Sequence, residues 1–165
     1  MARTHQEEDP PAVQAGIGSD LDVVLVFNVL RTHNQLSPFI DATLRQQNLT
    51  STQLNALLVL RAAGQEGLLM SQIGQRLVVT RSNVTGLVDR LEAQGLVARG
   101  DHPDRRATVV RLTLAGKELL DRTVPGYAQL LAELTGCLDD QEKQTLILLL
   151  TKLRRELRRR RKEVG

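Results

Sequence analysis

Between Leu68 and Leu112 the apolar positions change period several times within a few residues, and each change predicts an element. Ile73 and Leu77 form one short helical stripe. Val84, Leu87, Val88 and Leu91 form a second at i, i+3, i+4 and i+7, which predicts two amphipathic helices packed through these faces. Arg81, Ser82, Asn83, Thr85, Gly86, Asp89 and Arg90 are left on the outside of the second helix. Thr80 stands where a hydroxyl caps that helix, and Gly95 where it ends. Then come Leu96-Val97-Ala98-Arg99, a polar loop through Asp101, His102, Pro103, Asp104, Arg105 and Arg106, and the alternating Thr108-Val109-Val110-Arg111-Leu112. These predict a β-hairpin, with Leu68-Leu69-Met70 as a third short strand beside it. Two helices joined by a tight turn and followed by such a hairpin make a winged helix-turn-helix. That arrangement lays one helix in a DNA groove and a loop beside it.

The flanks read as helices. Ser19 or Asp20 caps a long first helix to about Gln47. Its apolar positions Leu21, Val24, Leu25, Leu36, Phe39, Ile40 and Leu44 keep helical spacing around a polar break at Asn28, and Pro38 should bend it. Thr50 and Gln53 form a reciprocal capping box that opens a helix from Ser51 to about Ala63, stopped by Gly64. Thr113 caps a fifth helix from Leu114 to about Gly136, with a kink expected at Pro125-Gly126. Asp139 and Glu142 open the last helix, which runs toward Arg160 with Leu146, Leu149, Leu150, Leu153 and Leu157 on one side. Burying each such leucine contributes ~1.5–3 kcal/mol, so the two chain ends are expected to pack together across a two-fold axis. Leu21, Val24 and Leu25 would share that interface with the five leucines of the last helix. The expected organisation is a disordered arm over residues 1–19, a dimerisation helix over 20–48, the winged helix-turn-helix over 49–113, C-terminal dimerisation helices over 114–160 and a basic tail over 161–165. The fold class is mainly α with a small β-wing.

Composition narrows the chemistry. Of 165 residues 41% are hydrophobic but only 2% aromatic, so the core must be built from Leu, Val, Ile and Ala. No apolar run approaches the roughly 18 residues that span a bilayer. The strongest, Leu21 to Leu30, is broken by Asp22 and Asn28, and the residues before it include Glu7, Glu8 and Asp9, unlike a secretory signal. A cytoplasmic protein without membrane contact is expected. The single cysteine, Cys137, excludes an internal disulfide and is expected to be a small buried apolar residue. His5, His33 and His102 show no ligand spacing, so neither a metal nor another cofactor is expected.

The net charge of +3 is unevenly spread. Residues 152–163 hold eight basic side chains against Glu156 and Glu163, which leaves the rest of the chain with fourteen basic and seventeen acidic residues. Within that acidic remainder, Arg76 to Arg111 carries seven arginines against four acids, a basic island suited to phosphate. The basic tail reads as a solvated helix end that complements the helix dipole, with added non-specific attraction to DNA as the alternative.

Three fragments in order then resemble the MarR family of bacterial regulators. They are Leu49-Thr50-x-x-Gln53, Leu87-Val88-Asp89-Arg90-Leu91-Glu92-x-x-Gly95-Leu96-Val97-x-Arg99, and Asp104-x-Arg106 followed by Leu112-Thr113-x-x-Gly116. The resemblance covers about Asp20 to Arg158. It implies a homodimer whose terminal helices form the interface, each protomer lowering a winged helix onto double-stranded DNA. By position, Arg106 would enter the minor groove, oriented by Asp104, with Arg105 beside it. Arg81, Ser82, Asn83 and Thr85 would meet bases and phosphates, with Thr80 capping, Gly86 allowing close approach and Arg90 a turn further on. Ser71 and Gln72, opening the preceding helix, would offer donors to phosphate. Arg90 could equally pair with Asp89 or Asp101.

Relatives of this kind typically repress a palindromic operator and are released by small aromatic or phenolic anions. His33, Arg61 and Tyr127 are the candidate effector-lining residues here. The absence of tryptophan, and of a cysteine in the first helix, separates the chain from urate- and peroxide-sensing branches. The rival from another class is a winged-helix adaptor that binds protein rather than specific DNA. It would want an apolar outer face on the second helix, and here that face is polar. An enzyme is not expected: His102 lies beside Asp101 and Asp104, but on a hairpin tip open to water.

Overall fold

In the computed structural model, residues 20–77, 81–101 and 107–164 are described, and the chain divides into two units, one ending at Tyr127 and the other beginning at Ala128. The arm expected over residues 1–19 lies outside the described residues. The first unit contains α1 (Leu21–Arg45), α2 (Ser51–Ala63), a 3₁₀ turn (Gly64–Glu66), β1 (Leu68–Leu69), α3 (Met70–Leu77), α4 (Arg81–Ala93), β2 (Val97–Gly100), β3 (Val109–Leu112) and the first turns of α5 (Leu114–Leu134). The second holds the end of α5 and α6 (Asp140–Val164). The protein is mainly α with a small antiparallel sheet, the winged helix-turn-helix expected from the sequence.

Local capping chemistry sets most of the boundaries. The Asp20 carboxylate accepts from the Asp22 amide at 3.1 Å and starts α1. At α2 the Gln53 amide donates to Thr50 Oγ1 at 3.2 Å while Gln53 Oε1 accepts from the Thr50 amide at 2.9 Å, so two amides that helix geometry orphans are satisfied together. Asp139 and Glu142 repeat the device at α6, at 2.8 and 2.9 Å. Thr113 does more than cap α5. Its hydroxyl accepts from the Gly116 amide at 3.0 Å and donates to the Gly95 carbonyl at 2.7 Å, tying the start of α5 to the turn after α4. That approach requires glycine at 116, where a β-carbon would stand 2.2 Å from the Leu96 carbonyl oxygen.

The sheet order is β1-β3-β2 with both pairings antiparallel, Leu68 opposite Val110 and Val97 opposite Leu112. Leu68 and Leu69 make the expected third strand, but Met70 opens α3 instead of extending it. The alternation expected along β3 breaks at Val109, which is buried next to buried Val110. The chain at Gly67 covers it: a β-carbon there would lie 3.0 Å from Val109 Cγ1 and 2.5 Å from the Val110 carbonyl oxygen. Gly67, at φ 72°, therefore lets the connection fold down over the outer side of the strand.

Leu44, Leu54, Leu57, Leu60, Ile73, Val84, Val88, Leu91, Val110 and Leu120 form the fully buried centre of the first unit, as an aliphatic composition demands. The N-terminal half of α1 has a different fate. Leu21 is 80% and Leu25 50% exposed, and Val24 is half-buried. In the second unit Leu146, Leu149 and Leu157 are exposed, with Leu150 and Leu153 half-buried. α6 runs on to Val164, four residues past its expected end, because Arg159 bridges Glu156 and Glu163 along the last turns and Arg160 also pairs with Glu156. Cys137 is exposed, against the burial expected of it, since it lies in the turn between α5 and α6 rather than on a packed helix face. Among the described residues no helix is long and apolar enough to cross a membrane, and no group of His, Cys, Asp and Glu could hold a metal ion.

Candidate nucleic-acid interface

α4 is amphipathic in the sense the site needs. Val84, Leu87, Val88 and Leu91 are all buried, which fixes the helix against the core and turns Asn83, Thr85, Asp89 and Arg90 to solvent. Gly86, half-buried, adds no bulk to that outward side. Arg81 opens α4 and Ser82 follows it. The expected cap Thr80 and the wing residues His102, Asp104, Arg105 and Arg106 lie outside the described residues.

α3 precedes α4 in the chain. Ser71 and Gln72 are exposed on its first turn while Ile73 is buried. Gln72 also has a structural task that its sequence position did not signal: its Oε1 accepts from the Leu69 amide at 2.8 Å. With the carbonyl end so engaged, the amide end of the side chain is left as a donor, the polarity a phosphate requires.

The strongest electrostatic feature beside α4 comes from a residue the sequence analysis did not assign to the site. Arg99, on β2, donates through Nη2 to Asp89 and through Nη1 to Glu92, and its amide donates to Glu92 Oε1 at 3.1 Å. The bond to Asp89, opposed by partial burial and aided by the bond to Glu92, raises the guanidinium pKa above its ordinary value. Asp89 thus turns to Arg99, and Arg90 pairs with neither Asp89 nor Asp101. The signal available in the sequence was the pair of acids three apart on one helix with an arginine on the next strand. Arg111 is a second basic residue at the wing's base, its Nε donating to the Gln65 carbonyl at 3.1 Å.

The three candidate effector residues are not joined to one another by any hydrogen bond or ion pair. His33 is exposed on α1; Arg61, exposed on α2, stands 3.6 Å from Asp121; Tyr127 packs against the core, where burial raises its pKa.

Comparison with known proteins agrees with this geometry. A sequence profile described as MarR family matches residues 47–107. An uncharacterized HTH-type transcriptional regulator of Bacillus subtilis, YkoM, is 34% identical over 109 residues, 66% of this chain and 70% of that protein. The HTH-type transcriptional repressor NicR of Pseudomonas putida is 33% identical over 106 residues, 64% of this chain and 66% of NicR. Among solved structures, a mutant MarR from E. coli complexed with operator DNA superposes with a TM-score of 0.72 at 28% identity, covering 82% of this chain and 99% of that one. By sequence and fold together, this chain belongs to the MarR family of helix-turn-helix transcriptional regulators.

Proposed function

We propose that this regulator acts as a homodimer that represses transcription from a palindromic operator and is released by a small aromatic or phenolic anion. The observation that carries the reading is the two-sidedness of α4: Val84, Val88 and Leu91 are at most 1% exposed, while Asn83, Thr85, Asp89 and Arg90 face outward. A surface helix that is held this rigidly and is polar outside suits base-edge recognition, in which Asn favours adenine and Arg guanine. Arg81, Ser82, Asn83 and Thr85 would meet the major groove, Ser71 and Gln72 the flanking phosphates, and Arg105 and Arg106 the adjacent backbone and minor groove. Asp104 would orient Arg106. The exposed leucines of α1 and α6 support a partner chain covering both. Repression is favoured by the likeness to NicR, named a repressor, and operator binding by the likeness to the MarR complex. For the effector, His33, Arg61 and Tyr127 offer two donors able to hold an anion and one aromatic face.

The test is binding to a duplex that the full-length protein selects from a randomised DNA pool, measured as a function of salt. Neutralising several phosphates releases counterions, so affinity should fall steeply as salt rises. Arg106→Ala should weaken this binding by roughly 1–3 kcal/mol without changing the melting temperature. A salt-insensitive interaction, or no recovered duplex, would favour the protein-binding adaptor instead.

A further inference from the structure

Asp89 is an awkward residue for a helix that meets DNA. It lies one turn beyond Thr85 on the outward side of α4, with its side chain 56% exposed, and Glu92 follows three residues later with 37% exposed. Two carboxylates beside a row of phosphates would repel them. Arg99 answers both, reaching across from β2 with one guanidinium nitrogen on each acid, and its own amide adds a bond to Glu92. The cluster then carries one net negative charge instead of two, and the strand leading into the wing is fastened to the reading helix. Both of its terminal guanidinium nitrogens already bond carboxylates, so its charge is spent on Asp89 and Glu92 before any phosphate.

We propose that Arg99 is a positioning residue that acts on binding by neutralising Asp89 and Glu92 beside the nucleic acid, more than by bracing the wing strand. This rests on the DNA-binding reading above. The geometry makes a prediction that simple bracing would not. Once Arg99 is gone, removing one of the acids it neutralises should recover binding, because the local charge returns to its original value although the brace is still missing.

The experiment compares the wild-type full chain, R99M and R99M/D89N on the duplex selected from the random pool, with melting curves for each. R99M should bind at least about tenfold more weakly at low salt, and the deficit should shrink as salt screens exposed charges beyond a Debye length of about 10 Å at 0.1 M. R99M/D89N should return to within about threefold of wild type. Should R99M fail to fold, R99K is read instead: it keeps the charge and should stay within about threefold of wild type. R99M binding like wild type, R99M/D89N remaining as weak as R99M, or a tenfold loss in R99K would each overturn the proposal. Failure of the wild-type chain itself to retain any duplex would remove the DNA-binding reading, and this one with it.

Discussion

The winged half of the molecule and its two terminal helices carry the same leucine-rich helical spacing but reach opposite states. Leu57, Leu60 and Leu91 are at most 1% exposed, whereas Leu21, Leu25, Leu149 and Leu157 are each at least half exposed. The winged unit finds its apolar complement within a few dozen residues of chain, through short turns and a hairpin. The terminal stripes find none within the described residues and stay exposed, as the proposed dimer requires. Periodicity thus reports that a face must be covered without reporting whose surface covers it, and the two regions should answer differently to the same kind of substitution.

The largest expected effect falls on the terminal helices. Leu149→Glu with Leu153→Glu would remove four leucines from the proposed two-fold interface at ~1.5–3 kcal/mol each, so sedimentation should show monomer or unfolded chain. A well-folded dimer would place the interface elsewhere. Next, Leu57→Ala should lower unfolding free energy by about 2–5 kcal/mol, through lost burial and a residual cavity, while the sedimenting species stays dimeric. Leu149→Ala should do the converse, raising the dimer dissociation constant and making the melting temperature more dependent on protein concentration. If the two variants behaved alike, the contrast between the regions would collapse.

Smaller effects sharpen the same contrast at the ends of helices. Thr50→Ala removes half of a capping box inside the winged unit and should cost about 1 kcal/mol in a denaturant titration. At the far end of α6, hydrogen bonds from Arg159 and then Arg160 hold the Glu156 carboxyl at about 2, below its ordinary 4.5. A depressed carboxylate stabilises the folded state above pH 4.5, and this contribution fades as the pH falls toward 2. Far-UV circular dichroism should show a small loss of helix over that window. Glu156→Gln should make the helix loss over that window smaller than in the wild type.

What could be read in advance was local. The caps at Thr50, Thr113 and Asp139 involve residues no more than three apart, so the sequence displays donor and acceptor together. The outward face of α4 follows from a four-residue stripe. What escaped was set by where the chain turns back. Arg99 meets Asp89 only because a turn brings β2 back along the helix, ten residues later. Val109 is buried by the connection at Gly67 and not by the sheet face its alternation implied. Cys137 looked like core because small apolar residues near leucines usually are, but the turn before α6 leaves it open.

The central claim is that two copies of this chain, joined through their terminal helices, present two α4 helices to one duplex. Sedimentation of the wild-type protein with the duplex it selects tests this most directly. Two chains per duplex at saturation, on a sequence with two inverted half-sites one helical turn apart, is the predicted result. One chain per duplex, or a selected sequence without inverted symmetry, would contradict it.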